Sequence, residues 1–126
     1  MELKRILIPP PEAEAVLGKA TVNAADRLGL TQAQLAEVIG HSRSQVSKLS
    51  NGTKSLKAGT VQFRLAALLV RLFRSLDAIV GGDAQVLRAW MRNPNQALNG
   101  RPIDLITTPD GLTHVLAYLD ASRAKI

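Results

Sequence analysis

Residues 31–52 read TQAQLAEVIGHSRSQVSKLSNG. Thr31 has the character of a helix N-cap, and Gln34, three residues on, supplies the reciprocal half of a capping box. Leu35, Ala36 and Ile39 then give one apolar face, and Gly40 stops the helix. The same device recurs in Ser42-Arg43-Ser44-Gln45, which opens a second helix running to Leu49 or Ser50, closed by Asn51-Gly52. Two short capped helices joined by a tight glycine turn cannot pack parallel, so the second crosses the first steeply. Leu35, Ala36, Ile39, Val46 and Leu49 bury the angle, with Ala36 small at the closest approach. The opposite face of the second helix carries Arg43, Ser44, Ser47 and Lys48. All four donate hydrogen bonds and none is acidic, which suits a major groove, where Arg or Lys pairs with guanine O6 and N7.

Outward from this stretch the chain keeps a helical period. Upstream, Ala13, Val16, Leu17, Ala20, Ala24 and Leu28 follow Pro9-Pro10-Pro11 and predict a helix ending at Gly29. Ile6 to Ile8 is the one candidate strand and is too short to matter. Downstream, Thr53 to Gly59 is polar, glycine-containing and non-periodic, and reads as a linker. Val61, Leu65, Leu68, Leu72, Leu76 and Ile79 predict a long helix. Leu69, Val70 and Phe73 widen its apolar surface, which makes it a core spine or part of a dimer seam. Gly81-Gly82 ends it. Asp83 caps a helix through Met91, and Asn93-Pro94 terminates that one. After the turn-rich Asn95 to Arg101 and a short piece from Pro102 to Ile106, Thr108-Pro109 starts a last helix with Leu112, Val115, Leu116 and Leu119 inward. The expected class is all-α, with one domain over 1–59 (linker included) and a second over 60–126.

Composition narrows the function. The 126 residues are 46% hydrophobic and 21% charged, ordinary globular usage. No apolar run approaches the ~20 residues that span a bilayer, and the opening Met1 to Ile8 is too short-cored for a signal peptide, so a cytoplasmic protein away from membranes is expected. With no cysteine there is no disulfide, no thiolate metal site and no thiol nucleophile. His41 and His114 fall in different halves and no carboxylate–histidine spacing suggests a metal, so neither an enzyme nor a cofactor is expected. Sixteen Lys and Arg against ten Asp and Glu give +6, divided evenly about residue 60, which fits a polyanionic partner. Phe63, Phe73, Trp90 and Tyr118 are the aromatics, all beyond residue 60. An N-terminal half without rings to stack bases on points to double-stranded rather than single-stranded nucleic acid.

The set Thr31-Gln32, Leu35-Ala36, Gly40, Ser42, Val46-Ser47 and Asn51-Gly52 resembles the helix-turn-helix of the Xre family, the group of Cro and the lambda-type repressors. The resemblance implies a Cro/lambda-repressor-like bundle in which Gln32 contacts phosphate. It further implies that Arg43 and Ser44, with Ser47 and Lys48 further along, read bases, and that Asn51 and Lys54 touch phosphate. His41 reads as a solvent-facing turn residue. One recognition helix covers few base pairs, so a homodimer placing two about one turn (~34 Å) apart is expected, with 61–80 as the natural seam and the first helix as the alternative.

Three further stretches, LLVRLFRSLDAIVGGD (68–83), AWMRNPNQALNGRPIDLI (89–106) and TPDGLTHVLAYLD (108–120), resemble the toxin-binding domain of Xre/MbcA/ParS-type antitoxins. With the N-terminal motif the likeness spans about residues 12 to 122. It implies the antitoxin of a type II toxin–antitoxin pair that represses its own operon on double-stranded operator DNA. The implied partner is a RES-domain toxin that consumes NAD, covered by the small C-terminal helical domain, with Ser122 to Ile126 reaching toward its catalytic pocket. The candidate toxin-facing residues are Trp90, Arg92, Asn93, Arg101, Asp104, Tyr118, Arg123, Lys125 and Ile126; Trp, Arg and Tyr are the types enriched at interface hot spots. Trp90 also reads as a core plug, and the rival reading of the whole chain is a stand-alone regulator whose C-terminal half only dimerises.

Overall fold

The computed structural model describes residues 11–124; the Ile6–Ile8 stretch and the candidate residues Lys125 and Ile126 lie outside them. Among the described residues there are seven helices and no strand: α1 Pro11–Leu28, α2 Gln32–Ile39, α3 Arg43–Ser50, α4 Val61–Ile79, α5 Ala84–Arg92, α6 Pro102–Leu105 and α7 Pro109–Ala124. The all-α class follows.

Local chemistry sets most boundaries. At α1 the acidic Glu12 and Glu14 in the first turn and Arg27 in the last complement the helix dipole. Its buried stripe runs through Gly18, Thr21, Ala25 and Leu28, and Thr21, though buried, satisfies its hydroxyl on the Leu17 carbonyl at 2.7 Å. Val16 falls on the far side of that stripe and stands 65% exposed, contrary to its expected inward position. At α2 both halves of the capping box form: the Gln34 N–H donates to Thr31 Oγ1 at 3.1 Å, and Thr31 N–H to Gln34 Oε1 at 2.8 Å. Gly40 closes the helix at φ +73, in the left-handed region that glycine enters without cost. The second box forms by half. Ser42 Oγ accepts from the Gln45 N–H at 3.1 Å, while Gln45 Oε1 is buried without a partner.

α4 is the spine. Leu65, Ala66, Leu69, Leu72 and Leu76 are buried, and the helix packs on α1, α2 and α7. Its wide apolar surface is therefore largely used within the chain. Residues 53–59, expected as a linker, are pinned instead: Leu56 is 1% exposed and belongs to the core, and the Ala58 N–H donates to the Glu14 carboxylate. One contiguous apolar cluster runs from Ala25 to Leu119.

The C-terminal elements close on the same core. Asp83 Oδ1 accepts from the Gln85 and Val86 N–H groups, opening α5, which buries Leu87 and Met91. Arg88 reaches across the molecule and donates to the carbonyls of Asp26 at 3.0 Å and Arg27 at 3.4 Å. A cation there satisfies orphan carbonyls and meets the negative end of the α1 dipole. Residues 95–100 form a tight loop held by an antiparallel bridge between Asn95 and Gly100. Asn95 Oδ1 accepts from the Leu98 N–H at 3.2 Å, and Asn99 takes φ 59. Thr108 Oγ1 then accepts from the Gly111 N–H at 3.1 Å, capping α7.

Candidate functional site

α3 turns Val46 and Leu49 into the core against α1 and α2. That leaves Arg43, Ser44, Ser47 and Lys48 exposed together on its outer side. Among the described residues neither Arg43 nor Lys48 enters a salt bridge, so both charges face solvent uncommitted. Gln32, the first residue of α2, is exposed and shares a shallow depression with Ser50 at the end of α3. The arrangement is a rigid helix offering hydrogen-bond donors on a convex edge, a shape a B-form major groove admits.

The loop after α3 folds back on it. The Thr53 and Lys54 N–H groups donate to the Lys48 carbonyl at 3.0 and 3.2 Å. Asn51 Oδ1 accepts from the Thr53 N–H at 3.1 Å and from its hydroxyl at 2.7 Å, so the Asn51 side chain orders the loop. Lys54 is half-buried. It lines a pocket of about 150 Å³ together with His41, Ser55, Lys57, Thr60 and Gln62. Gln62 Nε2 donates to the Gly40 carbonyl at 3.2 Å, tying α4 to the α2–α3 turn. His41 is half-buried rather than fully solvent-facing, and burial first, then the Lys54 ammonium, hold its pKa below the ordinary histidine value. Sequence reasoning passed over Lys57 and Gln62 because this pocket draws on three separate segments with no shared period.

The candidate partner-facing residues are distributed over three elements. Trp90 is half-buried against the core, while Arg92 and Asn93 are exposed at the end of α5. The Arg92 guanidinium lies beside Gly29: a Cβ placed there would sit 3.6 Å from its Nη2. Arg101 and Asp104, both exposed, pair at 3.4 Å across the first turn of α6. Tyr118 on α7 is 36% exposed. Arg123 is anchored to α4, its Nη1 donating to Ser75 Oγ at 3.2 Å. The buried Ser75 hydroxyl donates in turn to Asp120 Oδ1 at 2.9 Å, and Asp120 pairs with Arg71 at 3.1 Å. Ser75, Asp120 and Arg71 gave no signal in the sequence because their partners lie on a different helix. No group of His, Asp or Glu able to hold a metal occurs among the described residues, and no helix there is long and apolar enough to cross a membrane.

Comparison with known families meets this geometry. The model of the antitoxin Xre-like helix-turn-helix domain matches residues 9–74, just over half of the chain. That of the antitoxin Xre/MbcA/ParS C-terminal toxin-binding domain matches residues 75–125. The two meet between Arg74 and Ser75, inside the continuous helix α4. No curated protein matches the chain. With the helix-turn-helix match extending from α1 into α4 and the toxin-binding match from there to residue 125, the chain belongs to the Xre-like antitoxin family, an N-terminal helix-turn-helix followed by an Xre/MbcA/ParS toxin-binding domain.

Proposed function

We propose that this chain neutralises a RES-domain, NAD-consuming toxin by occluding its active site and represses its own operon through α3. The observation that carries the reading is the joining of a toxin-binding domain to a helix-turn-helix whose outer face is left open. Neutralisation requires no chemistry from this chain, only a surface that stays in place over the toxin's pocket. In this reading Trp90, Arg92, Asn93, Arg101, Asp104, Tyr118 and Arg123 meet the toxin, with Lys125 and Ile126 beyond. Gln32, Asn51 and Lys54 hold phosphates while Arg43, Ser44, Ser47 and Lys48 face the bases. The division of labour near residue 60 is one of surfaces, since the core is continuous across it. Two copies supply two recognition helices, with 61–80, where Val61 is exposed, as the natural seam and α1, where Val16 is exposed, as the alternative. Its DNA and toxin partners place the protein in the cytoplasm.

The test is co-expression of the full chain with a RES-type protein, taken from the reading frame beside its gene where one is encoded there, reading complex formation by co-purification and cellular NAD by enzymatic assay. A stable complex with NAD restored to the uninduced level is expected. A chain that binds its upstream duplex yet leaves NAD depleted would mark a stand-alone regulator instead.

A further inference from the structure

We propose that the pocket between the His41 turn, residues 54–57 and the start of α4 is an oxyanion site that seats a backbone phosphate of the bound duplex, and that His41 takes up a proton as the phosphate enters. The inference rests on the DNA-binding reading above and adds to it residues outside the helix-turn-helix pattern.

Three cationic or protonatable side chains, His41, Lys54 and Lys57, converge on one concavity of about 150 Å³ whose other lining residues are Ser55, Thr60 and Gln62; no carboxylate lines it. Glu14 of α1, which reaches this segment, is engaged by the Ala58 N–H. The walls are fixed from several directions. Thr60 Oγ1 donates to the Lys57 carbonyl at 2.7 Å, and Gln62 holds the carbonyl of Gly40, the residue before His41. Behind the segment, buried Leu56 anchors its middle. A frame held in this way keeps the three side chains on one concavity before an anion arrives, and phosphate contacts of this kind fix register without reading sequence.

The proton follows from the same geometry. With the pocket empty of anion, partial burial and the Lys54 charge both disfavour an imidazolium at His41. A phosphodiester between Lys54, Lys57 and His41 reverses the electrostatic part, because its negative charge favours the protonated ring. The complex therefore holds more protons at this residue than the free chain. Affinity must rise as pH falls through the histidine range.

The experiment uses the full chain, a fluorescent duplex of its own upstream region and a random-sequence duplex of equal length. Anisotropy is read between about pH 6 and about pH 8, which brackets the histidine range, and over several salt concentrations. The expected wild-type affinity rises several-fold, up to about tenfold per pH unit, toward the acid end on both duplexes. His41→Gln flattens that profile. Lys57→Gln, at an exposed position, weakens both duplexes alike and lowers the salt slope by about 0.9. An unchanged pH profile in His41→Gln, or a full salt slope in Lys57→Gln, overturns the proposal. Should the wild-type chain bind neither duplex, the DNA-binding reading fails, and titration of the His41 ring proton signals with inorganic phosphate decides the pocket. A saturating shift there supports the oxyanion site with free phosphate as its ligand; no shift overturns the site as well.

Discussion

Gly111→Ala is expected to destabilise the protein by about 3 kcal/mol or more, lowering its thermal midpoint by more than about 10 °C. A Cβ at this position would lie 1.8 Å from the Leu105 carbonyl oxygen and 2.8 Å from its carbon, with Thr108 Oγ1 at 3.0 Å. The obstacle is backbone at the end of α6, so no rotamer change relieves it; α6 and α7 must move apart. Their separation would open the cluster in which Ile103, Ile106 and Leu112 are buried. Working against this is the gain in helix propensity, ~1 kcal/mol for replacing Gly by Ala in a helix interior. The clash exceeds it. Gly18→Ala supplies the opposite case inside α1, where the new Cβ would meet Leu49 Cδ2 at an ordinary 3.8 Å. That substitution is expected to raise stability by about 0.5–1 kcal/mol. Thermal unfolding of both variants checks the pair, and a Gly111→Ala protein as stable as wild type would contradict the packing described for α6 and α7.

Leu56→Ala has the second largest expected effect, a loss of about 2–5 kcal/mol in urea unfolding. Leu56 sits outside any helix, yet it is buried in the common core. Its removal deletes apolar contacts and leaves a cavity that the tethers at Ala58 and Thr60 keep from collapsing. The same residue fixes the segment that carries Lys54 and Lys57, so duplex affinity is expected to fall even where the variant remains folded. Lys57→Gln, exposed on that segment, is expected to leave stability within about 0.5 kcal/mol and serves as the comparison. A Leu56→Ala change of under about 1 kcal/mol would mean that residues 53–59 are the loose connector their composition suggested.

That contrast marks what could be read from the sequence and what could not. The Thr31/Gln34 box, the Gly40 stop, the Asp83 cap and the Thr108-Pro109 start were legible because each is local chemistry within four residues. The buried rows of α2, α4 and α7 were legible because burial on one helix face imposes a period. The same periodic logic misplaced Val16, where alanines and Gly18 make the stripe shallow enough to shift, and Val61 at the start of α4, which is 55% exposed. It also credited Gln45 with a capping bond that the side chain does not make. Contacts across the fold carried no local signal. Arg88 to the Asp26 carbonyl, and Ser75 to Asp120, join residues 62 and 45 apart. Of the candidate site, the exposed donor face of α3 was legible, since it is the complement of two buried positions on one short helix. The His41 pocket was not, being assembled from a turn, a loop and a helix start. Nothing local in the sequence marks Gly111; its constraint comes from the Leu105 carbonyl of the neighbouring helix.

Whether the outer face of α3 reads a duplex can be measured directly. The measurement is the affinity of the full chain and of Arg43→Ala for its own upstream duplex, for versions with single base pairs exchanged, and for random sequence at fixed salt. Expected is tighter binding of the upstream duplex than of random DNA, a loss of ~1–3 kcal/mol in Arg43→Ala, and relaxed preference at one base pair. Equal affinity of wild type for every duplex, with Arg43→Ala indistinguishable from it, would contradict the reading.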